Sequence, residues 1–144
     1  MRLLRANATL RRELEVRLLQ AHSLTVSDYE ALLVLAREEE GSMRRVDLAG
    51  RLLLTPSGVT RLLDGLQELG YVGKRSCAAD ARVTYAVITD AGRKTLHQAV
   101  DVYHAALADL LGERLSPDEV EMLVTLLGRL PGAADDEPCA LDDE

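Results

Sequence analysis

The stretch TPSGVTRLLDGLQELG, Thr55 to Gly70, constrains this chain more than any other. The Thr55 hydroxyl can cap a helix, and proline at the next position is preorganised for a first helical turn. Val59, Leu62, Leu63, Leu66 and Leu69 recur at helical spacing, and Gly70 is placed to end the run. The opposite face carries Ser57, Thr60 and Arg61 first, and Asp64 and Glu68 only afterwards. The segment is therefore a helix docked by one apolar stripe. It displays small hydroxyl and cationic groups at its N-terminal end.

The neighbouring segments follow the same period. Leu3, Leu4, Leu10, Leu14, Val16, Leu18 and Leu19 predict a long first helix ending near His22. Thr25, with Asp28 three positions on, opens a second helix through YEALLVLAREEE to Gly41. A short third helix fits RRVDLAGRLLL. Thr89-Asp90 opens a long fifth helix, and Ser116-Pro117-Asp118-Glu119 opens a last one running to Pro131. The sequence has no Phe, no Trp and 4 Tyr, so the core must be built from Leu, Val and Ala. With 144 residues the chain is about one domain by size.

One segment breaks the helical pattern. YVGKRSC and RVTYAVIT read as two strands of a hairpin, with residues Ala78 to Ala81 at its tip. Val83, Tyr85 and Val87 alternate with smaller or more polar residues, which makes them the candidates for docking the returning strand on the core. Asp80 and Arg82 stand two apart near the tip, where the carboxylate can orient the guanidinium as a bidentate pair.

The net charge of −7 hides an asymmetry. Residues 42–94 hold 9 basic and 5 acidic groups, whereas residues 95–144 hold 2 and 12. Six of those acids lie in DDEPCALDDE, which has no apolar period and reads as a disordered tail. The basic middle points to a nucleic-acid partner there and nowhere else. No apolar run approaches the roughly 18 residues of a membrane span, and the opening residues lack a signal-peptide layout, so the expectation is a soluble, cytoplasmic chain. Cys77 and Cys139 form no CxxC pair, and no nucleophile–base arrangement or phosphate-binding glycine loop stands out, so no cofactor or enzyme activity is expected.

Two short helices joined by a tight turn, the second with an outward Ser/Thr/Arg face, describe a helix-turn-helix. An α-helix fits the DNA major groove, and its N-terminal residues reach base edges. Ser57, Thr60 and Arg61 are suited to that contact. A hairpin directly downstream is the layout of a winged helix, and a narrow minor groove attracts an arginine such as Arg82. Arg44, Arg45, Lys74 and Arg75 are the candidates for phosphate contacts.

Over roughly residues 10–130 the chain resembles the MarR family of winged-helix transcriptional regulators. The segments TPSGVTRLLDGLQELGYV and the Asp-x-Arg…Thr-x-x-Gly pattern, here Asp80, Arg82, Thr89 and Gly92, carry the likeness. The resemblance implies a mainly α fold with a small β-wing, in which dimerisation helices flank a winged helix-turn-helix domain. It places an N-terminal dimerisation helix at 1–24 and the DNA-binding domain at 25–92, with a recognition helix at about 56–69 and a wing at about 72–88. C-terminal dimerisation helices follow at 93–131 and an acidic tail at 132–144. It further implies a homodimeric repressor of palindromic operators, with recognition helices about 34 Å apart. Ala81 stands where many members carry another arginine, which implies a weaker wing grip; Leu53 stands in the helix–helix turn where glycine is frequent, a difference expected to be harmless. No cysteine precedes Cys77, unlike the peroxide-sensing branch.

Members of this family often bind small phenolic or aromatic acids. Arg11, Glu15, Leu18 and His22 share one helix face here, and Tyr103 matches pocket tyrosines of similar proteins, so Arg11, His22 and Tyr103 are candidate ligand-binding residues. Surface charges around a core tyrosine account for the same residues equally well. His97, Asp101 and His104 share a face, yet without a fourth ligand they are more simply exposed helix residues, and no metal site is expected. The alternative from another class is a helical protein–protein adaptor without specific DNA binding.

Overall fold

The structure, a computed structural model, describes residues 1–76 and 83–130. Asp80, Arg82, Ala81, Cys77 and the acidic tail, Cys139 included, lie outside the described residues. The order is α1 (Arg2–His22), α2 (Val26–Arg37), β1 (Ser42–Arg44), α3 (Arg45–Arg51), α4 (Pro56–Glu68), β2 (Val72–Ser76), β3 (Thr84–Ile88), α5 (Asp90–Gly112) and α6 (Pro117–Leu127). They fall into two compact units, one running from Met1 to Tyr103 and the other from His104 onward. Among the described residues no helix is long and apolar enough to cross a membrane.

Helix starts follow local chemistry. The Thr25 hydroxyl accepts from the Asp28 N–H at 3.1 Å while the Asp28 carboxylate accepts from the Thr25 N–H at 2.9 Å. Ser116 and Glu119 repeat this box at α6, and these hydrogen bonds hold the Glu119 carboxyl below its ordinary range. Thr55 accepts from the Gly58 N–H at 3.1 Å, with Pro56 in the first turn of α4. Helix ends are shorter than the sequence implies. α2 stops at Arg37, and a turn closed by Gly41 N–H to Glu38 C=O at 2.7 Å leads into β1.

In the first unit a leucine core joins the helices. Leu18, Leu24, Leu32, Leu35, Leu48, Leu63, Leu66 and Leu96 are essentially inaccessible. Each such side chain contributes on the order of 1.5–3 kcal/mol by leaving water. α4 docks through Val59, Leu63 and Leu66, whereas Leu69, placed on the same stripe by its spacing, is exposed.

The sheet corrects two sequence expectations. It has three antiparallel strands in the order β1-β3-β2, and β1 was not anticipated. Its three residues are too few to show alternation, and they are strand only because they pair with β3, Met43 opposite Ala86. The second correction concerns which side of β3 faces inward. Ala86 and Ile88 are buried, while Val83, Tyr85 and Val87 are half-buried on the other parity. Ala86 lies between Met43 and Lys74, and Ile88 lies opposite Val72. Met43, Val72, Ala86 and Ile88 thus make the inner face, where a small residue suits close approach to the helices. The bulky alternation misled because β3 is the central strand and both its faces are partly covered.

The hairpin base is clamped to the end of α4. Gly70 adopts φ 75° and closes α4 with the Tyr71 N–H reaching the Leu66 carbonyl at 2.9 Å. The Thr89 hydroxyl donates to the Gly70 carbonyl at 2.8 Å and accepts from the Gly92 N–H at 3.0 Å, so one residue caps α5 and ties it to this turn. The Thr89 N–H donates to Tyr71 C=O at 3.0 Å. Gly92 packs so closely that a Cβ there would collide with the Tyr71 carbonyl oxygen. The Thr-x-x-Gly spacing is therefore structural.

In the second unit α6 buries none of its residues, and Met122, Val124 and Leu126 are exposed. Leu107, Leu111, Leu115, Val120 and Val124 line an open apolar groove of about 690 Å³.

Gly92→Ala should lower stability by about 1–3 kcal/mol, because backbone must shift to admit the methyl. Gly65→Ala is the control: beyond its own helix backbone and chain neighbours nothing lies within 4 Å of its added Cβ, and it should be neutral to stabilising by up to about 1 kcal/mol. Thermal denaturation of both variants checks the contrast.

Candidate nucleic-acid interface

The helix-turn-helix is α3, a short turn and α4. α3 ends with the Leu53 N–H on the Gly50 carbonyl at 3.2 Å and the Leu54 N–H on the Ala49 carbonyl at 2.9 Å. This pattern requires a left-handed residue after the helix, and Leu53 fills it at φ 53°. The same pattern ends α4, but there Gly70 takes the left-handed position. Leu53 is also 93% exposed, so no burial offsets its backbone cost. The departure at this position is tolerated at a cost.

Beyond the turn, Ser57, Thr60 and Arg61 all lie exposed on α4, opposite its buried stripe. Ser57 Oγ is 3.2 Å from the capping hydroxyl of Thr55. Thr60 donates to the Pro56 carbonyl at 2.8 Å and accepts from Arg45 of α3 at 3.0 Å. Arg61 makes no hydrogen bond or ion pair among the described residues. Asp64 lies on the same exposed face, with Lys74 of β2 3.7 Å away. The first two turns of α4 thus present a hydroxyl and a guanidinium to solvent, and the first carboxylate comes only at Asp64.

The chain matches a family model described as MarR family over residues 22–83. It is similar to Sco5413, a MarR family transcriptional regulator from Streptomyces coelicolor, at 30% identity and a TM-score of 0.79, covering 94% of this chain and 93% of that one. The chain belongs to the MarR family. Members of this family are transcriptional regulators with a winged helix-turn-helix, not enzymes. A mutant MarR from E. coli complexed with operator DNA is 25% identical, with a TM-score of 0.75 over 88% of this chain and 89% of that one. The HTH-type transcriptional repressor YetL of Bacillus subtilis is 28% identical over 74% of this chain. The chain spans 56% and 64% of the length of two such curated relatives, YetL being the second.

The other expected contacts of this MarR-family chain are placed unevenly. Arg44 is held by Asp47 through two hydrogen bonds, 2.6 and 3.2 Å, which raise its pKa above the ordinary guanidinium value, with charge attraction second. Arg75 reaches across the sheet to Glu40 at 2.8 Å and Ser42 at 2.9 Å, with its guanidinium 5.4 Å from the centre of the Tyr85 ring. Asp47, Glu40 and Ser42 were not singled out from the sequence. Asp47 follows Arg44 at i+3, a readable signal, whereas Glu40 and Ser42 meet Arg75 only through the sheet.

Among the candidate ligand residues, Arg11 grips both Glu30 oxygens at 2.7 and 3.0 Å and Ser27 at 3.0 Å. The Glu30 hydrogen bonds raise its pKa; partial burial opposes this, and Glu30, Glu15 and, more weakly, Tyr103 reinforce it by charge. Glu15 itself accepts from the Val26 N–H at 2.8 Å, so this face of α1 serves to seat α2. Tyr103 stacks on buried Tyr29 with ring centres 4.5 Å apart. His22 is half-buried in the last turn of α1. Among the described residues no group of three or more His, Cys, Asp or Glu is arranged to hold a metal ion, the His97, Asp101 and His104 set included.

Leu53→Gly should raise stability by about 0.5–1 kcal/mol, the left-handed strain outweighing glycine's greater unfolded-state entropy. Chemical denaturation measures it; a loss of stability would show that the leucine contributes packing at this turn.

Proposed function

We propose that this chain is a sequence-specific DNA-binding transcriptional repressor, acting as a homodimer on palindromic operators and relieved by a small phenolic or aromatic acid. The observation that carries the DNA-binding part is the exposed Ser57 and Arg61 face of α4, on a helix anchored by Val59, Leu63 and Leu66 beside the β2–β3 hairpin. On this reading the α4 N-terminus enters a major groove and Arg82, braced by Asp80, enters the neighbouring minor groove. Lys74 and Arg44 flank that surface and contact phosphates. The relative complexed with operator DNA and the relative named as a repressor support the assignment.

The dimer is supported by the apolar surface that one chain leaves uncovered. Leu3, Leu4, Val16 and Leu19 on α1 are exposed, as are Met122, Val124 and Leu126 on α6. A two-fold partner would bury such surface and match the symmetry of a palindrome. For the ligand, the support is a cation and an aromatic ring in one neighbourhood, Arg11 and Tyr103, where an anionic aromatic would compete with Glu30 for the guanidinium.

A gel-shift titration against DNA upstream of the gene, over a range of salt, tests the proposal. A specific complex whose log affinity falls linearly with log salt is the expected result. Affinity equal to that for random DNA at every salt concentration would favour a protein–protein adaptor instead. Arg61→Ala and Arg82→Ala should each weaken the specific complex by more than about tenfold, as loss of a groove contact does, with an unchanged melting temperature. An unaltered affinity would remove the residue concerned from the interface.

A further inference from the structure

Arg44 and Arg45 are adjacent and chemically alike, and the fold gives them different situations. Arg44 is closed against Asp47 by two short hydrogen bonds. Arg45 faces no carboxylate in an ion pair among the described residues. The residue is half-buried and its guanidinium reaches α4, where one Nη donates to Thr60 Oγ1 at 3.0 Å. Thr60 sits between Ser57 and Arg61 on the exposed face. Its own proton is committed to the Pro56 carbonyl at 2.8 Å, which turns the oxygen's acceptor side toward Arg45. A threonine so bonded has no proton to offer a base. The guanidinium it holds has five N–H donors, one of them spent on Thr60.

We infer that Arg45, laid by Thr60 across the outward face of α4, is a specificity-determining residue that reads a base edge, and that Thr60 is the residue that positions it. This rests on the DNA-binding reading above. The base matched by a guanidinium fork is guanine, whose O6 and N7 both accept in the major groove. Orientation separates such a reader from a phosphate contact. A phosphate can be met by a flexible cation from many directions, whereas a base edge requires a fork held in one plane. Arg45 is anchored through one Nη and Arg61 makes no such bond among the described residues, which divides the two cations of this face into an anchored one and an unanchored one.

The experiment uses the full-length protein and a pool of double-stranded DNA with a randomised core. Wild-type protein first selects a consensus; failure to select any overturns the DNA-binding reading itself, and this inference with it. Binding is then measured on a panel carrying every single-base substitution of the consensus. Arg45→Lys keeps the charge and loses the fork. It should cut the preference for one guanine in each half-site by about tenfold, while affinity for unrelated DNA and the salt slope stay near wild type. Arg45→Ala should lose the same preference.

Thr60→Val should reproduce much of that loss, Thr60→Ser should restore it, and Thr60→Val should add nothing further in the Arg45→Ala background. Melting curves confirm that each variant is folded; should Arg45→Ala unfold, Arg45→Lys and the Thr60 pair still decide. Uniform weakening across the whole panel, with the salt slope reduced by about one in Arg45→Ala, would make Arg45 a phosphate contact and overturn the inference. Equal, additive losses from Thr60→Val in both backgrounds would overturn the positioning role.

Discussion

The hydrogen bonds around the carbonyls of Gly70 and Tyr71 are the constraint on which the geometry of the candidate interface depends. Thr89 reaches both carbonyls, and through Gly92 it also opens α5. Three elements meet there within a few residues: the end of α4, the first residues of β2 and the start of α5. The hairpin's direction relative to α4 is therefore set at its base, where β2 leaves the clamp and β3 returns to it. Two strands alone would be marginal in water. Here β1 adds a third, and the inner face of Met43, Val72, Ala86 and Ile88 packs on the leucine core.

The elements that could be read from the sequence are those determined within one or two turns. Thr25, Thr55, Ser116 and Gly70 act on their own helices, so their spacing sufficed. The outward face of α4 was legible for the same reason, since a 3.6-residue period separates Ser57, Thr60 and Arg61 from Val59, Leu63 and Leu66. What escaped is what depends on partners distant in sequence. β1 exists through pairing with residues more than forty positions later. The inward parity of β3 follows from the clamp at Thr89 and the pairing with Met43 and Val72, and alternating bulk alone pointed the other way. Leu53 was legible as an unusual turn residue, but its left-handed backbone appears only in the structure.

The cations of the candidate interface show the same division at the level of charge. Sequence reading treats Arg44, Arg45, Lys74 and Arg75 as one basic set. Folding pairs Arg44 with Asp47, Lys74 with Asp64 and Arg75 with Glu40, and leaves Arg45 on a neutral hydroxyl. Of these pairings only Arg44–Asp47 lies close in sequence; Arg75 and Glu40 are 35 residues apart.

These pairs do not silence the interface. Each involves side chains with about two-fifths or more of their surface exposed, and exposed pairs contribute at most about 1 kcal/mol. A phosphate that displaces the carboxylate offers the guanidinium equivalent hydrogen bonds and releases condensed counterions from DNA as well. The paired cations would therefore be available to DNA at small cost, although the partner carboxylates would remain nearby and repel its backbone. Asp47, Asp64 and Glu40 each neutralise one cation of the candidate interface, so on the proposed reading non-specific binding by one copy would be modest. On the proposed reading, discrimination would then come from aimed groups on α4 and from two copies in register. The exposed apolar surface of α1 and α6 is consistent with such a pair. On that reading, a surface that restrains its own charge would gain selectivity from geometry, because only DNA that satisfies the aimed contacts on both half-sites would offset the carboxylate repulsion.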